Sequence, residues 1–213
     1  MRMRAFLLPA LIAVPAGSVL SGGWAVVTVE NPPEHLTVGQ PYTLEYSVRQ
    51  HGIELHNGLK GYVEARNGSR TVRADASDAS TKGKYKATLT VPTDGKWTIT
   101  VESGFGPSKT KMKPITVAAA GTAVAPMSAV ERGDHLFVAK GCVMCHVEMK
   151  LLPVDIRTTK YDEKFVKQLL ANPAAMPRKY NTGVEMPNLG LKTEEISALA
   201  AYLSAGPNST GTR

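Results

Sequence analysis

The sequence predicts two domains, an all-β immunoglobulin-like sandwich followed by an all-α unit, and three observations carry that prediction. Residues 24–118 alternate apolar and polar side chains at period two. Residues 128–206 repeat their apolar side chains at helical spacing. Between them, residues 119–127 have neither charge nor period, and Gly121 and Pro126 mark them as a linker. The expected boundaries are therefore 1–23 for a leader, 24–118, 119–127 and 128–213.

Met1-Arg2-Met3-Arg4 is a short basic start, and the run from Ala5 to Leu20 that follows it is uncharged. This is the pattern of an export signal. The run is short for a membrane span of about 20 residues, and Pro9 and Pro15 interrupt it. Residues 1–23 are expected to be a signal peptide or a membrane anchor. Either places the remainder in the periplasm or on the extracytoplasmic face of a membrane.

In the β region Tyr42, Leu44, Tyr46 and Val48 share one face of a strand. Tyr85, Ala87, Leu89 and Val91 repeat the pattern, as do Trp97, Ile99 and Val101. Trp24–Glu30, Lys60–Arg66, Thr71–Ala76 and Met112–Val117 bring the expectation to about seven strands, the rhythm of an immunoglobulin-like sandwich. Asn57-Gly58, Asn67-Gly68 and Pro92-Thr93-Asp94-Gly95 supply turns. With Val48-Arg49-Gln50-His51-Gly52, Gly83-Lys84-Tyr85 and Pro92 to Trp97 as its motifs, the region resembles the FixH/YtkA-like group of exported sandwich domains. Those motifs are turns and core positions, so the resemblance implies a fold rather than a reaction. His35, His51 and His56 raise a copper site, but copper favours further soft or imidazole ligands, and loop histidines without a ligand role are commoner.

Helical signals begin at Ser128-Ala129-Val130-Glu131, a capping box that starts a helix at Ala129. Its stripe is Val130, Gly133, Leu136 and Phe137, and Gly141 is suited to end it. Asp162 caps a second helix with Phe165, Val166, Leu169 and Leu170 on one face, stopping before Pro173. A third follows Thr193, buries Ile196, Leu199, Ala200 and Leu203, and closes at Gly206-Pro207.

Gly141-Cys142-Val143-Met144-Cys145-His146 contains the chain's two cysteines in a C-x-x-C-H pattern, the attachment signature of a c-type haem. Thiols one turn apart can reach two vinyl groups along one porphyrin edge, and the adjacent imidazole is placed for the iron. A redox dithiol would need a βαβ context, and a zinc site would need further ligands nearby. The expected cofactor is one covalent haem c held by Cys142 and Cys145, with His146 on the iron.

Gly133-Asp134-His135-Leu136-Phe137 ahead of this motif, and Met186-Pro187-Asn188-Leu189-Gly190-Leu191 followed by Thr193-Glu194-Glu195-Ile196 and Ala201-Tyr202-Leu203 after it, resemble class I cytochrome c domains. The resemblance implies an all-α cytochrome c fold over roughly 128–206, with Gly133 and Phe137 meeting Tyr202. It implies Met186 as the sixth iron ligand, and Pro153 supporting His146 through its carbonyl. The segment Val147–Leu152 departs from the pattern, lacking the glycine before that proline. Met176, also followed by a proline, is the weaker alternative to Met186. Met144 and Met149 lie too close to the motif to reach the opposite haem face.

Ligation by His146 and Met186 closes the iron to substrate and suits a one-electron carrier. The expected function is electron transfer to a redox protein or within a larger membrane redox complex, the sandwich serving as a docking or subunit-interface module. Two alternatives are a copper-handling assembly factor with a haem redox domain, and a haem-based gas or redox sensor. The net charge of +7 is spread without a basic cluster, which argues against nucleic acid. No constellation for hydrolysis or group transfer is present, so the chain is not expected to be an enzyme.

Overall fold

A computed structural model describes residues 23–153, 155–176 and 183–206. Eleven strands precede three α-helices: β1 Ala25–Val29, β2 His35–Thr37, β3 Pro41–Gln50, β4 Glu54–Leu55, β5 Tyr62–Asn67, β6 Arg70–Asp75, β7 Ser77–Asp78, β8 Lys84–Thr90, β9 Gly95–Glu102, β10 Lys109–Lys111 and β11 Ile115–Ala118. One sheet runs β1-β3-β8-β7 with β4 attached to β3, and the other runs β2-β11-β9-β5-β6 with β10 attached to β9. All pairings are antiparallel except β2 with β11.

The alternating runs do what their period requires. Leu44, Tyr46 and Val48 on β3, Tyr85, Ala87 and Leu89 on β8, and Trp97, Ile99 and Val101 on β9 fill one core between the sheets. Their neighbours pair outside, as in the Thr43–Thr88 hydroxyl contact at 2.9 Å. Asn67 and Arg70 close the β5–β6 hairpin, with Gly68 at φ +55° in the turn.

β1 breaks the alternation, for all five of its residues are buried. Ala25, Val27 and Val29 face the core. Val26 and Thr28 point the other way and are covered because the helical segment packs over them. As an edge strand, β1 would otherwise expose unpaired backbone groups. Ser108 Oγ instead accepts from Ala25 N at 3.0 Å, and Thr110 Oγ1 donates to Val27 O at 2.9 Å.

The helices are α1 Ala129–Ala139, α2 Glu163–Ala171 and α3 Thr193–Ala205. Ser128 Oγ accepts from Glu131 N at 3.2 Å and Asp162 Oδ1 from Phe165 N at 2.8 Å, so both caps form where the sequence places them. α1 crosses α3 closely: a Cβ on Gly133 would lie 2.1 Å from Ala198 O, and Phe137 and Tyr202 meet at 5.8 Å between ring centroids.

The expectation of two domains, with an all-α cytochrome c fold at the C-terminus, is corrected. The structure is one β-rich body of two sheets carrying a small helical part. α1 divides its burial: Leu136 and Phe137 face the other helices, whereas Ala139 belongs to the core cluster between the sheets. Lys113 pairs with Asp134, and Glu34 with Arg132 at 2.7 Å, across the junction. Among the described residues the helical part's own cluster has only eight buried apolar side chains, two of them alanine, too few for an independent core. Periodicity identifies a helix but not the surface that receives its stripe. At the end of the segment 119–127, Met127 packs against the sandwich core.

Candidate functional site

The Cys142–His146 motif sits where α1 gives way to an irregular turn. Lys140 caps α1 and Gly141 reverses the chain at φ +80°. Residues Met144–Glu148 then form a π-helical turn, closed by Met149 N donating to Met144 O at 2.8 Å. Leu151 N donates to Cys145 O at 3.1 Å, and Lys150 adopts φ +51° as the chain leaves.

Both cysteines are free and half-buried. Burial, with Cys145 nearby, pushes the Cys142 thiol up to about 12, and burial also raises Cys145. Neither is the low-pKa thiolate of a redox dithiol. Cys142, Val143, Val147 and Leu152 pack against the helical cluster.

Burial lowers the pKa of His146, with Asp155 opposing in part, which favours the neutral ring that a metal ligand needs. Among the described residues its Nδ1 is buried without a hydrogen-bond partner. A buried polar atom left unpaired is costly and calls for a partner. Two free thiols in one turn beside such an imidazole fit a covalently attached haem.

The remaining expected site residues are less gathered. Pro153 is exposed, and the hydrogen bond to His146 that the resemblance implied is not made. Met186 is 36% exposed in the irregular stretch before α3. Met176 is half-buried after the 3-10 turn Pro173–Ala175, and residues 177–182 lie outside the described residues, as does Val154. His51 stacks edge-on against Trp24 at 5.7 Å, His56 against Phe105 at 5.1 Å, and His35 lies on β2 opposite Thr116. Among the described residues no group of three or more His, Cys, Asp or Glu side chains converges on a metal position, which corrects the expectation of metal binding as far as clusters of these side chains go.

Lys140, buried one residue before Gly141, was not legible as part of this site. Its Nζ meets Glu195 Oε1 at 2.8 Å and donates to Glu30 O at 2.8 Å. Glu195 also caps α3, accepting from Lys192 N at 3.0 Å. A lysine at a helix C-terminus ordinarily reads as a solvated charge, and only the sandwich's position over it makes it interior.

No family model matches the chain, and no curated protein matches it. Likenesses among solved structures include domains 4 and 5 of the S-layer protein SbsC, at 21% identity and TM-score 0.32, covering 46% of this chain and 54% of that one. A superoxide reductase (neelaredoxin) from Ignicoccus hospitalis covers 43% of this chain and 80% of its own at 17% identity and TM-score 0.30. The Lin-41 filamin domain covers 45% and 93% at 12% identity and TM-score 0.32. The chain thus spans about half of the SbsC fragment. Membership of the class I cytochrome c family and of the FixH/YtkA-like group is therefore corrected: no family model supports either, and the described architecture is predominantly two β-sheets.

Proposed function

We propose that the protein is an exported one-electron carrier whose redox group is a haem attached covalently at Cys142 and Cys145. The observation that carries this reading is two free thiols, three residues apart, beside a buried imidazole whose Nδ1 has no partner among the described residues. Each thiol would add S–H across one vinyl group, forming a C–S bond and leaving its hydrogen on the neighbouring carbon, with no net oxidation. His146 would hold the iron through a ring nitrogen, and Met186, or less favourably Met176, through its thioether. Bound there, the group supplies an Fe(III)/Fe(II) couple. The uncharged run behind Arg2 and Arg4 supports export. The β-sheet body offers the docking surface for a redox protein or a larger membrane redox complex.

The test is to express the chain in a host able to mature covalent haem and to extract it with acid solvent. Haem that stays with the wild type but leaves a Cys142→Ala/Cys145→Ala protein supports the proposal. Haem that is fully extractable from the wild type overturns it. Met186→Ala should abolish the low-spin His/Met spectrum and lower the potential, while Met176→Ala leaves both unchanged; the reverse result reassigns the ligand.

The exposure of Met186 favours one second reading, a sensor in which that weak ligand is displaced by a gas. Carbon monoxide added to the ferrous protein decides it: an unchanged spectrum removes the sensor.

A further inference from the structure

The three residues that precede Cys142 are built against the sandwich, and Lys140 is held by α3 as well. Ala139 is fully buried in the core between the sheets. Lys140 is held at both ends: its carbonyl accepts from Thr28 Oγ1 at 3.3 Å, and its Nζ reaches Glu30 O at 2.8 Å and Glu195 Oε1 at 2.8 Å. The Lys140 and Glu195 side chains are 4% and 8% exposed. An ammonium and a carboxylate this deep persist only when paired, so neither can leave without stranding the other. Gly141 lies so close to β1 that a Cβ would stand 2.5 Å from Val26 Cγ1 and 2.8 Å from Val27 O. Its φ of +80° adds a second reason for glycine.

These contacts end one residue short of the first attachment thiol. Cys145 and His146, in contrast, belong to the π-helical turn. The two cysteines therefore differ in what holds them. We infer that β1, acting through Lys140 and Gly141, positions the Cys142 thiol, so that the sheets and the helical part together form the attachment site. The inference rests on the haem reading for its consequence, though not for the anchoring itself. On this view Thr28, Lys140 and Glu195 are positioning residues, and the sandwich is a working part of the haem site rather than an appended module.

The experiment uses the full chain made without haem, with maleimide labelling of each cysteine followed by peptide mapping. Thr28→Val removes the hydrogen bond to Lys140 O, and a longer one from Arg49 Nη1 at 3.4 Å, while keeping the side chain's shape and the β1–β3 pairing. Lys140→Met alone would strand the Glu195 carboxylate, so Lys140→Met/Glu195→Gln is the second variant. Each should speed labelling of Cys142 at least about fivefold, the opening expected from loss of one or more hydrogen bonds, and leave Cys145 unchanged. General loosening of the fold would speed both cysteines alike. In the matured protein the same variants should accumulate haem attached through Cys145 alone. Natively folded variants in which Cys142 labels at the wild-type rate, or in which both cysteines accelerate together, overturn the inference. A wild type that never takes covalent haem, combined with selective acceleration of Cys142, defeats the haem reading and leaves the anchoring intact. Covalent haem through both cysteines with no change at Cys142 does the opposite.

Discussion

Tyr46 and Tyr85 stack at 5.3 Å in the core, yet their hydroxyls fare differently. Tyr85 donates to His56 O at 2.6 Å and accepts from Leu59 N at 3.3 Å, tying the loop after β4 to the sheet. The Tyr46 hydroxyl is buried with no partner among the described residues. An unpaired buried hydroxyl costs stability, whereas deleting a paired one strands its partners. Tyr46→Phe should therefore stabilise the protein by about 1 kcal/mol and Tyr85→Phe destabilise it by about 1–3 kcal/mol, measured by urea unfolding. Equal effects would contradict this account. His135 on α1 gives a pH dependence at the same scale. Burial, the largest cause, holds its imidazole below the ordinary 6.5. Above that value both folded and unfolded states are neutral and nothing is lost. As pH falls through 6.5 the unfolded chain binds the proton first, so stability drops. His135→Gln should lose less stability than the wild type between about pH 7.5 and 5.5; parallel losses would exclude His135 as a source.

At the scale of elements, most strands and helix starts were legible because each rests on local chemistry. The runs through Tyr46, Tyr85 and Trp97 alternate because a sheet has two faces. Ser128 and Asp162 start helices because their side-chain oxygens satisfy backbone N–H groups within three residues. What stayed hidden depends on partners distant in sequence. β1 reads as half-buried and is buried on both sides, and Phe165 reads as core and is 42% exposed. The C-x-x-C-H pattern singled out Cys142, Cys145 and His146, but nothing in it pointed to the contact that Lys140, just upstream, makes with Thr28. The α1–α3 crossing offers the test at this scale. Gly133 admits no side chain against Ala198 O and Tyr202 Cβ. Gly133→Ala should cost at least about 1–3 kcal/mol in urea unfolding through overpacking, despite alanine's better helix propensity. A stabilised Gly133→Ala protein would show that the crossing is looser than described.

The whole molecule should behave as one cooperative unit, because buried polar contacts bind its two parts. Both tryptophans lie in the β region, whereas helical ellipticity reports mainly on residues after 128. Fluorescence and ellipticity should give coincident urea transitions for the apoprotein; separated midpoints would show that the helical part unfolds on its own. The covered edge of β1 also has a consequence for biogenesis. Thr28 bonds to a residue 112 positions later, the Glu30 carbonyl to one 110 positions later, and Ala25 and Val27 to partners 83 positions later. A chain made at about 5–20 residues per second leaves that strand edge uncovered for roughly 6–20 s after synthesis of Thr28. Contacts of such sequence separation also form slowly. The nascent strand is therefore the segment most open to wrong pairing, and a holding chaperone that shields residues 25–30 during that interval would raise the yield of folded protein.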